Sequence, residues 1–123
     1  MDNQTKLIAA SLSIYDKNNH INDEATLNLW NKLVREGADG IFIGGSVGEC
    51  FLLDDSERIH IFEEAARFVR SVDRPLDIYA HVGSLSTDGA IEMARAAKAA
   101  GITHIASTPP FYFSLSRKEV ANY

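Results

Sequence analysis

Four short apolar runs rich in β-branched and aromatic residues alternate with longer stretches whose apolar positions recur at helical spacing. The runs occupy residues 7–14, 40–43, 76–82 and 104–108, and each is too short and too apolar for a surface helix. They read as parallel strands buried on both faces, giving the order β-α-β-α-β-α-β.

The helical stretches begin and end on recognisable signals. The first starts after Asn22, with Asp23 and Glu24 at the positive end of the dipole, and turns Leu29, Trp30, Leu33 and Val34 inward before Gly37 stops it. The second begins at Asp54 or Asp55, where Asp54 and Glu57 have capping-box spacing, and carries Ile59, Phe62, Ala66 and Val69 on one stripe before Pro75. The third opens at Ser86 or Thr87 and closes at Gly101. Both Glu36-Gly37-Ala38-Asp39-Gly40-Ile41 and Ala100-Gly101-Ile102-Thr103-His104-Ile105 read as helix end, glycine cap, short link and strand. That echo is a repeated βα unit, equally at home in a parallel barrel or a doubly wound sheet. A further helix start at Ser116-Arg117-Lys118-Glu119 is cut short at Tyr123, so the chain is expected to be part of a longer protein.

Composition narrows the classes. The 123 residues hold 46% hydrophobic and 24% charged residues, ordinary for one globular domain with a core of its own. A net charge of −5, with no cluster of Lys or Arg, argues against a nucleic-acid partner. The opening Met-Asp-Asn-Gln-Thr-Lys lacks signal-peptide order, and no apolar run approaches the ~18 residues of a membrane span, so the expected setting is the cytoplasm, without membrane contact. With one cysteine, Cys50, and no paired Cys or His at ligand spacing, no metal site is expected.

In α/β architectures the chemistry gathers where strands end. Of the four segments following the strands, Gly44-Gly45-Ser46-Val47-Gly48-Glu49 carries most information. Its glycines permit a tight turn with successive N–H groups presented to one small anion, and Ser46 adds a hydroxyl, so a carboxylate fits. A plain glycine-rich strand-to-helix turn is the alternative, and neither phosphate-binding glycine pattern is complete. In Pro109-Pro110-Phe111-Tyr112-Phe113, prolines stiffen the backbone and aromatics exclude water around Tyr112, a candidate proton relay; packing against a neighbouring subunit is a compatible reading. His20, His60, His81 and His104 read as turn, helix or hydrogen-bonded core histidines, Glu49 as a loop anchor accepting backbone hydrogen bonds, and Cys50 as packing.

These segments resemble the N-acetylneuraminate lyase and dihydrodipicolinate synthase family of Schiff-base pyruvate aldolases. Residues 40–49 are similar to that family's Gly-Ser/Thr-Thr-Gly-Glu loop after the second strand, and Ser56-Glu57-Arg58 follows in place. Tyr79-Ala80-His81-Val82-Gly83-Ser84-Leu85-Ser86-Thr87 resembles the third strand of N-acetylneuraminate lyases in particular, Thr108-Pro109-Pro110-Phe111-Tyr112-Phe113 the segment after the fourth, and Tyr15-Asp16 the end of the first. The resemblance implies the N-terminal half, about four βα units, of a single (β/α)₈ barrel domain covering residues 1–123. It further implies a homotetramer acting on pyruvate and an aldehyde, with no cofactor beyond a covalent imine on a lysine outside this chain.

Carried over residue by residue, Gly45, Ser46 and the backbone N–H of Val47 would seat the 2-oxo acid carboxylate, with Ser46 also in the proton relay. Tyr112 would be the relay tyrosine lent to a neighbouring subunit; Pro110 is an extra residue, and counting back from Ser116 favours Tyr112 over Phe111. Val47 stands where a threonine is usual, and Ser13-Ile14 replaces a Thr-Pro, which is expected to loosen the first turn near the site. The family's tyrosine after strand five and lysine on strand six lie beyond Tyr123. Lys6, Lys17, Lys32, Lys98 and Lys118 all read as solvated, unlike a nucleophile whose pKa is depressed by burial. Rival readings are a dihydrodipicolinate synthase, a 2-keto-3-deoxy sugar-acid aldolase or dehydratase, and, from another class, a non-catalytic half-barrel with exposed sheet edges that assembles with itself or a complementary half.

Overall fold

A computed structural model describes residues 5–123. Its elements follow the predicted alternation: β1 (Ile8–Ala10), α1 (Asp23–Arg35), β2 (Gly40–Ile43), α2 (Asp55–Ser71), β3 (Asp77–His81), α3 (Thr87–Ala100), β4 (His104–Ala106) and α4 (Arg117–Asn122). The four strands form one parallel sheet in the order β1-β2-β3-β4. A doubly wound sheet reverses direction at a switch point; this one advances one strand at a time, and crossovers of a single hand then place the helices on one face.

Register shows which face that is. Ile41 pairs with Ile78 and Ile43 with Ala80, and these side chains are buried with Phe62, Ala65 and Trp30 in the main apolar cluster. Phe42, Tyr79 and His104 lie in line on the opposite face, the one a closed barrel turns inward. Trp30 and Phe68 pack at 5.5 Å between ring centres, and the Trp30 indole N–H donates to the Ser11 hydroxyl at 2.8 Å, so the polar end of this buried ring is satisfied.

The helix signals are borne out in atomic detail. Asn22, Asp54, Ser86 and Ser116 each accept a backbone N–H from their helix's first turn, with complete capping boxes at Asp54/Glu57 and Ser116/Glu119. Gly37 and Gly101, the two glycines of the repeated exit, take left-handed φ of 96° and 95°.

Three expectations need correction. Burial on both faces holds for β2 but fails for β1 and β4, which are three residues each; Ile105 is 54% exposed. Edge strands have one neighbour apiece, so ladder length and burial depend on a partner the local pattern does not encode. The α1 stripe is led by Thr26 and Trp30, with Leu29, Leu33 and Val34 only partly buried. The α2 stripe includes Ile61, Ala65 and Phe68, and a buried charge, Arg58. Among the described residues, no helix is long and apolar enough to cross a membrane.

Candidate active site

All four post-strand segments emerge at the same edge of the parallel sheet. Leaving β2, the chain turns at Gly44, whose φ of +64° is left-handed. The other two loop glycines answer a different need, close approach. A Cβ on Gly45 would stand 2.2 Å from the Phe42 ring, and one on Gly48 would stand 3.1 Å from the Ser11 carbonyl oxygen. Glu49, at φ 59°, adopts the left-handed region without being glycine, a costly conformation held by its surroundings.

Three backbone bonds close the turn: Glu49 N–H donates to the Ser46 carbonyl at 3.1 Å, Cys50 N–H to Gly45 at 3.2 Å, and Leu52 N–H to Glu49 at 2.7 Å. Among the described residues, the N–H groups of Ser46 and Val47 are spent on no acceptor. Ser46 is exposed and Val47 half exposed, so this stretch of the loop lies at the surface. Gly45 is buried beneath them.

The loop is anchored differently from expectation. No backbone donor reaches the Glu49 carboxylate among the described residues; the side chain faces the Tyr15 phenol, whose pKa is raised first by burial and then by that carboxylate. The first turn, expected to be loosened where Ser13-Ile14 replaces a Thr-Pro, is tied to the loop: the Ser13 hydroxyl donates to the Gly48 carbonyl at 2.6 Å. Asn22 N–H donates to the Ile14 carbonyl and Tyr15 bridges Ile21, closing the segment after β1 on itself.

Tyr112 lies in the segment after β4 and is 79% exposed, edge-on to Phe113 at 4.9 Å. With Leu85, Pro110, Phe113 and Leu115 it lines a cavity of about 260 Å³. No hydrogen bond joins Tyr112 to Ser46 among the described residues; their loops meet through Phe51 and Phe111, whose ring centres are 4.8 Å apart. The five lysines are exposed as expected, and the Asp77 carboxylate at 2.6 Å raises the Lys6 pKa, away from nucleophilic reactivity.

One buried residue at this edge escaped the sequence reading. Arg58, 3% exposed, donates through Nη2 to the carbonyls of His81 and Gly83, each at 2.9 Å, while its Nε–H is buried without a partner among the described residues. Desolvation lowers its pKa. The available signal was its spacing, one helical turn before Ile61 and Phe62 on the buried stripe. His81, 4% exposed, is a hydrogen-bonded core histidine as read, meeting Thr108 across β3 and β4. Away from this edge, Asp23, His60 and Glu64 approach one another on α1 and α2, but His60 pairs with Asp23 and Glu64 with Arg67, which accounts for the cluster as a tie between helices. Cys50 packs, buried.

A sheet advancing one parallel strand at a time, with its loops gathered at the carboxyl edge, is half of a (β/α)₈ barrel. The chain belongs to the dihydrodipicolinate synthetase family, whose pattern matches residues 3–123. It is 32% identical over 117 residues to an N-acetylneuraminate lyase of Mediterraneibacter gnavus, covering 95% of this chain and 36% of that protein. Among solved structures it resembles CdNal of Clostridium difficile in complex with mannosamine (29% identity, TM-score 0.86, 97% of this chain and 41% of that one). It also resembles YagE, a prophage protein of E. coli K12 in complex with pyruvate (27% identity, TM-score 0.87, 96% and 39%). The chain thus spans a little over a third of the length of the curated relatives it matches.

Proposed function

We propose that this chain is the N-terminal part of a barrel that acts as a Schiff-base pyruvate lyase of the N-acetylneuraminate lyase type. The observation that carries the reading is the loop after β2. It presents the Ser46 hydroxyl and the unspent N–H groups of Ser46 and Val47 at the sheet's carboxyl edge, in a chain whose curated relatives include lyases at about a third identity. Three donors on a backbone held by Gly44, Gly45 and Ser13 suit a planar carboxylate, and a fixed donor costs no reorganisation when charge arrives.

In this reading Gly45, Ser46 and Val47 hold the 2-oxo acid carboxylate, and the Ser46 hydroxyl passes a proton to or from the reacting centre. Val47 keeps the backbone donor and leaves Ser46 as the loop's side-chain hydroxyl at this point. The imine forms as a lysine amine adds to the ketone carbonyl and water leaves; no resident metal or other cofactor is called upon. The exposure of Tyr112 supports its service in the site of a neighbouring copy of a cytoplasmic homo-oligomer.

Borohydride reduction of the intact protein in the presence of pyruvate, followed by peptide mapping, tests this. The expected result is a reduced pyruvyl group on one lysine other than Lys6, Lys17, Lys32, Lys98 and Lys118, together with cleavage of N-acetylneuraminate. An adduct confined to those five lysines, or no adduct, overturns the imine reading; an adduct without sialate cleavage moves the substrate to another 2-oxo acid of the same class.

A further inference from the structure

The loop after β2 and the segment after β4 carry the two proposed catalytic side chains, yet β3 stands between them. Besides the Phe51–Phe111 contact, a chain of contacts through His81 crosses that gap. Arg58, on α2 immediately after the Ser46 loop, grips the His81 and Gly83 carbonyls at 2.9 Å each. On the other side, the His81 Nε2 accepts the Thr108 backbone N–H at 3.3 Å and lies 3.1 Å from the Thr108 hydroxyl.

The backbone donor decides the tautomer. An N–H cannot reverse its role, so Nε2 is unprotonated, the Thr108 hydroxyl donates to it as well, and the ring proton sits on Nδ1. Nδ1 is buried and finds no hydrogen-bond partner among the described residues. An orphaned ring N–H is a standing cost, tolerated here to keep an acceptor aimed at Thr108. Space is equally tight: a Cβ on Gly83 would stand 2.7 Å from the His81 ring and 3.0 Å from the Thr108 nitrogen. Directly after Thr108 come Pro109 and Pro110, which carry its backbone direction stiffly into Phe111 and Tyr112.

We propose that His81 is a positioning residue: by accepting from the Thr108 backbone it holds the Tyr112 segment in fixed relation to the Ser46 loop. The proposal rests on the functional reading above, in which Tyr112 relays a proton. The groups facing the ring are Phe42 from β2, Phe51 from the following loop, Thr108 beyond β4, and the charge of Arg58 from α2; Arg58 in turn is flanked by Cys50, Asp55 and Tyr123. Protonation of Nε2 leaves the hydroxyl bond intact with its direction reversed and abolishes the backbone one.

The test compares His81→Leu with His81→Gln in the intact protein, since a glutamine carbonyl can stand where Nε2 does. In His81→Leu, kcat should fall about tenfold with KM for pyruvate within about twofold, the split expected of a group acting on the reacting step and not on carboxylate binding. Amide hydrogen exchange at Thr108 should quicken in the same variant, and His81→Gln should restore both. Equal losses in the two variants, an unchanged Thr108 amide, or a rise in KM alone would each overturn the proposal. If His81→Leu does not fold, the wild-type protein decides: Thr108 protection must drop as His81 is protonated, and constant protection refutes the link. Wild-type protein without lyase activity would sink the functional reading, while Thr108 exchange would still report on His81.

Discussion

The ring of Phe42 occupies the space a side chain at Gly45 would need, 2.2 Å from the Cβ position. Phe42 lies on the face of the sheet away from the helix-covered core, so a strand residue props the loop that follows its own strand. Gly45→Ala in the intact protein should therefore cost about 1–3 kcal/mol of stability, as other overpacked positions do. Pairing it with Phe42→Leu should recover much of that loss, and denaturant titration of the single and double variants measures the coupling. Additive losses would show that the two positions do not share the space.

Removing the loop hydroxyl tests binding. Ser46 is exposed and its side chain makes no hydrogen bond among the described residues, so Ser46→Ala should leave the melting temperature unchanged. Pyruvate affinity should fall by about 1.5–3 kcal/mol, the loss of a hydrogen bond to a charged group, or roughly tenfold and upward in Kd. Calorimetric titration with pyruvate provides the measurement, and unchanged affinity removes Ser46 from the site.

The Trp30 indole N–H and the Ser11 hydroxyl meet at 2.8 Å in a buried setting. Ser11→Ala leaves the indole N–H without an acceptor and should destabilise by about 1–3 kcal/mol. Adding Trp30→Phe removes the orphan but leaves part of its space unfilled, so the double variant should lose less than the two single losses added together. Additive losses in a denaturant double-mutant cycle would deny the bond any coupling energy.

His81 also predicts a pH dependence. Its pKa lies below the ordinary 6.5 because burial disfavours the cation and Arg58 repels it. Below pH 6.5 the unfolded chain takes up a proton at this residue before the folded one does. The contribution is thus whole above pH 6.5 and is lost progressively as pH falls toward the depressed folded value. His81→Gln should flatten the stability profile within that window; a wild-type profile already flat there would contradict the assignment.

The parts legible in the chain are those decided within a few residues. Asn22, Asp54, Ser86 and Ser116 cap their helices because the hydroxyl, amide or carboxylate and its N–H target sit three residues apart. Strand existence was equally legible, but strand length was not: β1 and β4 stop at three residues where the segments read as strands run on, since each has a single neighbour in the sheet. At the site, the loop's glycines were visible and their reasons were not. Phe42 under Gly45 and Ser11 beside Gly48 are contacts that only the packed loop reveals. Arg58 was hidden by its charge; an arginine reads as solvent-facing until two carbonyls at the end of another strand are seen to receive it.

Consecutive strand order also has a consequence for how such a chain leaves the ribosome. Each new strand finds its partner in the one made just before, about one βα unit back, so pairing can keep pace with synthesis and needs no distant segment to arrive first. The growing edge is always the newest strand. With His104 and Ile105 uncovered, β4 is an edge whose open backbone groups are available to pair with another strand.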